Sequence, residues 1–178
     1  SNSHFKKLTR LRAKLKKDTR SIVITDLGAG STINKSNTRS VKDIAHNSSK
    51  APKYGRLFYR MVQYFNPSSV IELGTSLGLS TIYFASANPK IPIYTLEGCP
   101  NTAKIASENF RTLGLHNVKS ELGDFAVTLP ELLGQTKNVD MVFFDGNHQK
   151  EPTLAYFEEC LKYATNRSIF IFDDIHWS

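Results

Sequence analysis

A chain of 178 residues, 40% hydrophobic and 22% charged, is sized and composed for one globular domain with a real core. No apolar run reaches the roughly 18 residues of a membrane span, and no apolar segment follows the basic N-terminus as in a signal peptide. The net charge of +7 is lopsided: residues 1–60 hold 15 Lys/Arg against 3 Asp/Glu, a surplus of +12, and residues 61–178 hold 8 against 13, or −5.

That division separates a basic helical and extended segment, residues 4–50, from a domain over residues 51–178. Ser1-Asn2-Ser3 reads as a processing remnant. Cys99 and Cys160 match no metal spacing, so a reduced, cytoplasmic setting is expected. Phe5 to Lys17 can form a helix with Phe5, Leu8, Leu11 and Leu15 on one side and Lys/Arg around the rest. Such a helix docks on its own domain or on a second subunit, giving a homodimer; an anionic partner is the rival reading. No aromatic residues interleave the charges as base stacking would want, so nucleic acid is the weaker choice.

Ile22 to Ile24 reads as an extended segment leading into a glycine loop at Gly28 and Gly30. The polar run after it offers no helix to hold a phosphate. Thr38 is placed to cap a short helix over residues 39–47. Pro52 begins another, Lys53 to Phe65, with Leu57, Tyr59, Met61, Val62 and Phe65 inward and Arg56 and Arg60 outward. Lys53 and Tyr54 are placed to edge the mouth of a site, though Tyr54 is expected simply to pack.

Val70-Ile71-Glu72-Leu73-Gly74-Thr75-Ser76-Leu77-Gly78 is a short apolar strand entering a glycine turn, with a helix opening at Leu79. The glycines mark places where a side chain would obstruct the backbone or a ligand on it. The helix amides point at whatever fills the turn. From there strands and helices alternate: helix 79–87, strand 91–96, helix 101–113, strand 117–122, helix 125–133, strand 139–144, helix 151–164, strand 168–172. Five strands with intervening helices predict an α/β, doubly wound parallel sheet covered on both faces.

Polar groups at the carboxyl ends of parallel strands converge on one crevice. Here the ends carry Glu72 and Gly74, Glu97-Gly98, Gly123-Asp124-Phe125, Asp145-Gly146-Asn147-His148, and Asp173-Asp174. Glu97 terminates the second strand, where a carboxylate can accept both ribose hydroxyls; an acid favouring the next helix dipole is the plainer alternative. Asp124 and Phe125 are suited to an adenine, one as hydrogen-bond partner and one as stacking ring.

This run resembles the class I S-adenosylmethionine-dependent methyltransferases over roughly residues 53–178. The resemblance implies the Rossmann-like methyltransferase fold and S-adenosylmethionine as cofactor. It places Glu72, Gly74, Thr75, Ser76, Gly78, Glu97, Gly98, Asp124, Phe125 and Asp145 around that cofactor. The family closes its sheet with an antiparallel hairpin after the fifth strand, and the sequence stops at Ser178, so the hairpin is expected to be missing from this stretch. The fourth and fifth strand ends are similar to those of divalent-metal-dependent small-molecule O-methyltransferases. That narrower likeness implies Mg²⁺ held by Asp145, Asp173 and Asp174. His148, with Asp145, would serve catalysis by taking the proton of an acceptor hydroxyl; His176 is a rival base. Plain crevice-lining and helix-capping roles stay open for these acids. The expected activity is methylation of a small-molecule hydroxyl. The alternatives are a nucleic-acid methyltransferase using the basic segment and a non-catalytic cofactor-binding domain.

Overall fold

The computed structural model describes residues 2–25, 37–47, 50–147 and 149–173. Helix α1 (Asn2–Leu15) leads into a two-stranded antiparallel ribbon, β1 (Ser21–Val23) with β2 (Thr38–Ser40), and then helix α2 (Val41–Asn47). Helix α3 (Pro52–Phe65) precedes the alternating part: β3 (Val70–Leu73), α4 (Leu79–Ala87), β4 (Ile93–Glu97), α5 (Pro100–Leu113), β5 (Val118–Leu122), α6 (Phe125–Thr136), β6 (Val139–Phe144), α7 (Lys150–Leu161) and β7 (Ala164–Phe172). The larger sheet has the order β5-β4-β3-β6-β7 with every pairing parallel. The chain runs outward from β3 to β5, then crosses back to lay β6 on the other side of β3. That reversal leaves a crevice beyond the carboxyl ends of the central strands.

Alternation along the strands splits the core into two layers. Val70, Ile93, Met141 and Phe143 face one side with α1 to α5, while Ile71, Leu73, Leu96, Val142 and Phe144 face the other with α6 and α7. All four side chains of β3 are buried. On the first side Phe58 of α3 stacks on Phe84 of α4 at 5.0 Å and meets Phe143 at 4.7 Å. Leu8, Leu11 and Leu15 of α1 are buried in this same cluster, so the helix spends its apolar stripe on its own domain.

Four expectations are corrected by the fold. Thr38 lies in β2, away from the head of the helix; α2 starts at Val41, where Ser40 Oγ accepts from the Asp43 amide at 3.2 Å and donates to its carboxylate. On α3 the inward face is Gly55, Phe58 and Val62, whereas Leu57 and Phe65 are exposed. Tyr54 is not packed: it is 46% exposed, with the Lys53 ammonium 4.9 Å above its ring. Helix α7 stops at Leu161, and β7 starts at Ala164 with a bulge opposite Val139 and Met141, where Ser168 Oγ donates to the Val139 carbonyl. Gly28 and Gly30 fall outside the described residues.

Candidate cofactor and acceptor site

The crevice is shaped first by backbone. After β3 the amides of Gly74 and Thr75 both donate to the Leu96 carbonyl, at 3.0 and 3.2 Å, which folds the turn over the end of β4. Gly74 has φ +99°, and a Cβ there would stand 2.4 Å from the carbonyl oxygen of Asp145. Only glycine fits so close to the neighbouring strand. Gly78 is a different case. It sits at the head of α4 with φ +78°, and a Cβ would strike the Phe110 ring at 2.5 Å. Its bareness lets α4 and α5 approach, and it lies outside the cavity wall.

A cavity runs along these turns, lined among others by Gly74, Ser76, Glu97, Gly98, Asp124 and Asp145. Glu97 closes β4 and its carboxylate is held on both oxygens by backbone: Oε2 accepts from the Ser76 amide at 2.7 Å and Oε1 from the Cys99 amide at 2.9 Å. A carboxylate fixed this way keeps lone pairs for a ligand without the freedom to turn away. Asp124 caps α6 by accepting from the Ala126 amide at 2.9 Å, and Phe125 beside it meets Tyr156 edge-on at 5.9 Å. Asn147 Nδ2 donates to the Tyr156 hydroxyl at 3.3 Å, while its Oδ1 is buried with no partner among the described residues. That orphan acceptor belongs to a residue of the cavity wall.

Besides Gly78, two more residues expected in the wall are placed elsewhere. Glu72 is fully buried beneath the turn. Its carboxylate accepts from Ser80 Oγ at 2.5 Å, from Thr95 Oγ1 at 2.6 Å and from Thr81 Oγ1. Burial pushes its pKa above the ordinary 4.5, with the three hydroxyls pulling the other way and the charge of Glu97 adding to the rise. Thr75 is buried as well, its hydroxyl 2.6 Å from that of Thr95. Both hold the turn from below.

At the other end of the crevice Asp145 follows β6. Lys50 Nζ lies 2.9 Å from Asp145 Oδ1 and also hydrogen-bonds Asp173 Oδ2, just past β7. Burial, aided by Asp173, raises the Asp145 carboxyl to about 8 despite the ammonium beside it. The Lys50 ammonium is raised too: its two carboxylates outweigh the cost of burial. Mg²⁺ was expected on Asp145, Asp173 and Asp174. Asp174 and His148 lie outside the described residues, and the two acids that are described are already joined by an ammonium. Among the described residues, Asp145 and Asp173 with Lys50 between them do not offer a divalent ion a site.

Cys99 and four residues from other elements also reach the site without a signal in the sequence. Ile24 and Thr25, just after β1, line the cavity; Asn101 Nδ2 donates to the Val23 carbonyl at 2.8 Å, which ties that ribbon to α5. Tyr156 comes from α7, and Lys50 from the residues ahead of α3. Nothing in the spacing around Lys50 or Tyr156 marks either one.

A parallel sheet in this order, with a cavity beyond the carboxyl ends of β3, β4, β5 and β6, defines the Rossmann-like class that binds nucleotide cofactors. Within it, the model of a methyltransferase domain family matches residues 71–175, and the chain belongs to that family. It is 31% identical over 130 residues to a catechol O-methyltransferase from Niastella koreensis, covering 71% of this chain and 58% of the relative. The chain thus spans little more than half the length of that relative. Among solved structures it is similar to the O-methyltransferase TomG from Streptomyces achromogenes in complex with S-adenosylmethionine, at 25% identity and TM-score 0.63, over 71% of this chain and 57% of that one. A Bacillus cereus O-methyltransferase in complex with S-adenosylhomocysteine, 22% identical, shares the fold over 97% of this chain and 66% of its own, TM-score 0.67.

Proposed function

We propose that this domain binds S-adenosylmethionine across the ends of β3 to β6 and takes part in methylating a hydroxyl of a small-molecule acceptor. The observation that carries the reading is Glu97, a carboxylate fixed by two backbone amides in the cavity wall and presented to a diol. Two features support the fit. The turn at Gly74 is too close to β6 for any side chain, leaving bare backbone beside the ligand. The unpartnered Oδ1 of Asn147 is an acceptor in want of a donor such as an adenine amino group.

In this reading Glu97 binds the ribose, Gly98 lets its hydroxyls approach, and Asp124 and Phe125 flank the base. Gly74 and Ser76 border the amino-acid part of the cofactor, and Asp145 borders the reacting end. Bound S-adenosylmethionine would supply an activated methyl group. His148 is proposed to take the acceptor proton. The catechol and TomG O-methyltransferases support oxygen as the acceptor atom. The free thiols of Cys99 and Cys160 suit the reduced, cytoplasmic setting that we include in the proposal. Among the described residues, no helix is long and apolar enough to cross a membrane.

Calorimetry with S-adenosylhomocysteine tests the reading. The chain is expected to bind it one-to-one, and Glu97→Ala to weaken binding by at least about ten-fold, the worth of one charge-assisted hydrogen bond. No binding by the parent chain would overturn the proposal, and unchanged binding by the variant would remove Glu97 from it.

A further inference from the structure

The ends of β6 and β7 form a charged cluster whose centre is a side chain from a distant part of the sequence. Asp145 N donates to the Leu73 carbonyl at 2.9 Å and Asp173 N to the Phe144 carbonyl at 3.0 Å, so both acids are held by the continuing strand ladder. Lys50 is held as firmly from its own side. Arg12 of α1 donates from Nη2 to the Lys50 carbonyl at 2.7 Å. The three side chains are largely covered, at 22% exposure for Lys50, 15% for Asp145 and 23% for Asp173. Arg12, Lys50 and Asp145 also line a second cavity on the far side of the Gly74 turn, opposite Tyr83 and Phe58.

We propose that Lys50 is the resident cation of the acceptor end, occupying the position between Asp145 and Asp173 that a divalent ion would need. An ammonium carries three N–H donors and accepts nothing. Two of them go to Asp145 and Asp173, which leaves one for an acceptor oxygen bearing developing negative charge. A fixed donor of that kind stabilises an oxyanion without reorganising when the charge appears. A divalent ion would have to expel this ammonium from a covered site and strand it without its partners, which is costly. Lys50 therefore compensates charge at the acceptor oxygen itself, and it stands where a metal would at this end of the crevice.

The inference rests on the methyl-transfer reading for its purpose, but the competition between lysine and metal does not depend on any acceptor. Mn²⁺ serves as the probe, titrated into the full chain without nucleotide and followed by loss of the free-ion EPR signal. The parent chain is expected to leave Mn²⁺ free into the millimolar range. Lys50→Ala should bind one ion per chain at least about ten-fold more tightly, since the ammonium no longer stands between Asp145 and Asp173. Adding Asp145→Asn should abolish that gain, and Lys50→Arg should behave as the parent. Uptake of one ion by the parent chain, lost on Asp145→Asn, overturns the proposal; so does a Lys50→Ala chain that gains nothing. Should Lys50→Ala fail to fold, the parent and Lys50→Arg titrations decide alone. Calorimetry with S-adenosylhomocysteine on the same samples keeps the two readings apart. Failure of the parent chain to bind it sinks the methyl-transfer reading and leaves the Mn²⁺ result intact, and Mn²⁺ uptake beside normal binding sinks only the role of Lys50.

Discussion

Two glutamates near strand ends, Glu72 and Glu97, have opposite fates although they share a face of the sheet: Glu72 sits level with Thr95, and Glu97 lies two residues further along β4, beyond the end of β3. Glu97 is the last residue of β4 and reaches the cavity; Glu72 is one short of the end of β3 and shares a face with Val70, under α4. There it ties Ser80, Thr81 and Thr95 together, and burial makes it a weak acid. The sign of the consequence follows from proton counting. The folded chain keeps this proton to higher pH than the unfolded chain, so it binds more protons, and stability falls as pH rises. The contribution is whole below the unfolded value near 4.5 and is lost through the raised folded value. Glu72→Gln, which cannot ionise, should flatten that decline, by up to about 1.4 kcal/mol per pH unit. Urea unfolding of both chains across weakly acidic to neutral pH checks it; parallel curves would contradict it. The sequence reading put Glu72 beside the cofactor because position near a strand end is visible in sequence, whereas the burying helix face is not.

At the scale of elements, the βα units from Val70 to α7 are legible because each apolar run is punctuated by Gly, Pro or Asn where the chain turns, whereas Lys162-Tyr163 between α7 and β7 carries no such mark and that boundary is misplaced. The N-terminal elements were harder for a physical reason. Helix α3 carries two stripes, and the outer one (Tyr54, Leu57, Tyr64, Phe65) is the more apolar to the eye. The inner one centres on Gly55, where a Cβ would stand 2.0 Å from the Tyr83 ring, so close packing on α4 is bought with a residue that sends no hydrophobic signal. The β1 ribbon is similar: its three residues alternate exposed and half-buried, and its worth lies in placing Ile24 and Thr25 against the cavity. The Asn101–Val23 bond helps to hold it there, beside the Thr25 amide donating to Cys99 Sγ at 3.4 Å. Asn101→Ala should cost only about 0.5–1.5 kcal/mol of stability, the net value of one hydrogen bond. If the ribbon walls the ligand, the same variant should weaken S-adenosylhomocysteine binding several-fold while Asn109→Ala, buried under Leu77 away from the ribbon, should show its effect on stability instead. Calorimetry and urea unfolding on both variants separate these outcomes, and equal binding by Asn101→Ala would leave Ile24 and Thr25 as mere neighbours.

For the molecule as a whole, charge and core tell different stories. Charge divides the chain near residue 60, yet Leu8, Leu11 and Leu15 are buried in one cluster with Phe58, Phe84 and Phe143. An apolar stripe on a cationic helix is visible in sequence; the surface that covers it is not, since docking, dimerisation and an anionic partner all use the same pattern. The shared core joins α1 to the site, because Arg12 lies one turn beyond Leu8 and holds the Lys50 carbonyl. Leu8 is 1% exposed, so Leu8→Ala should cost about 2–5 kcal/mol, the range for an emptied leucine site in a packed core. Since the cluster is continuous, the loss should appear as one shifted transition for the whole chain, with far-UV and aromatic signals moving together. A cost below about 1 kcal/mol, or an early step confined to helix content, would show that α1 is an appendage. In that case Arg12 could not anchor Lys50 against the pull of Asp145 and Asp173, and the ammonium at the acceptor end would lose its footing with the helix.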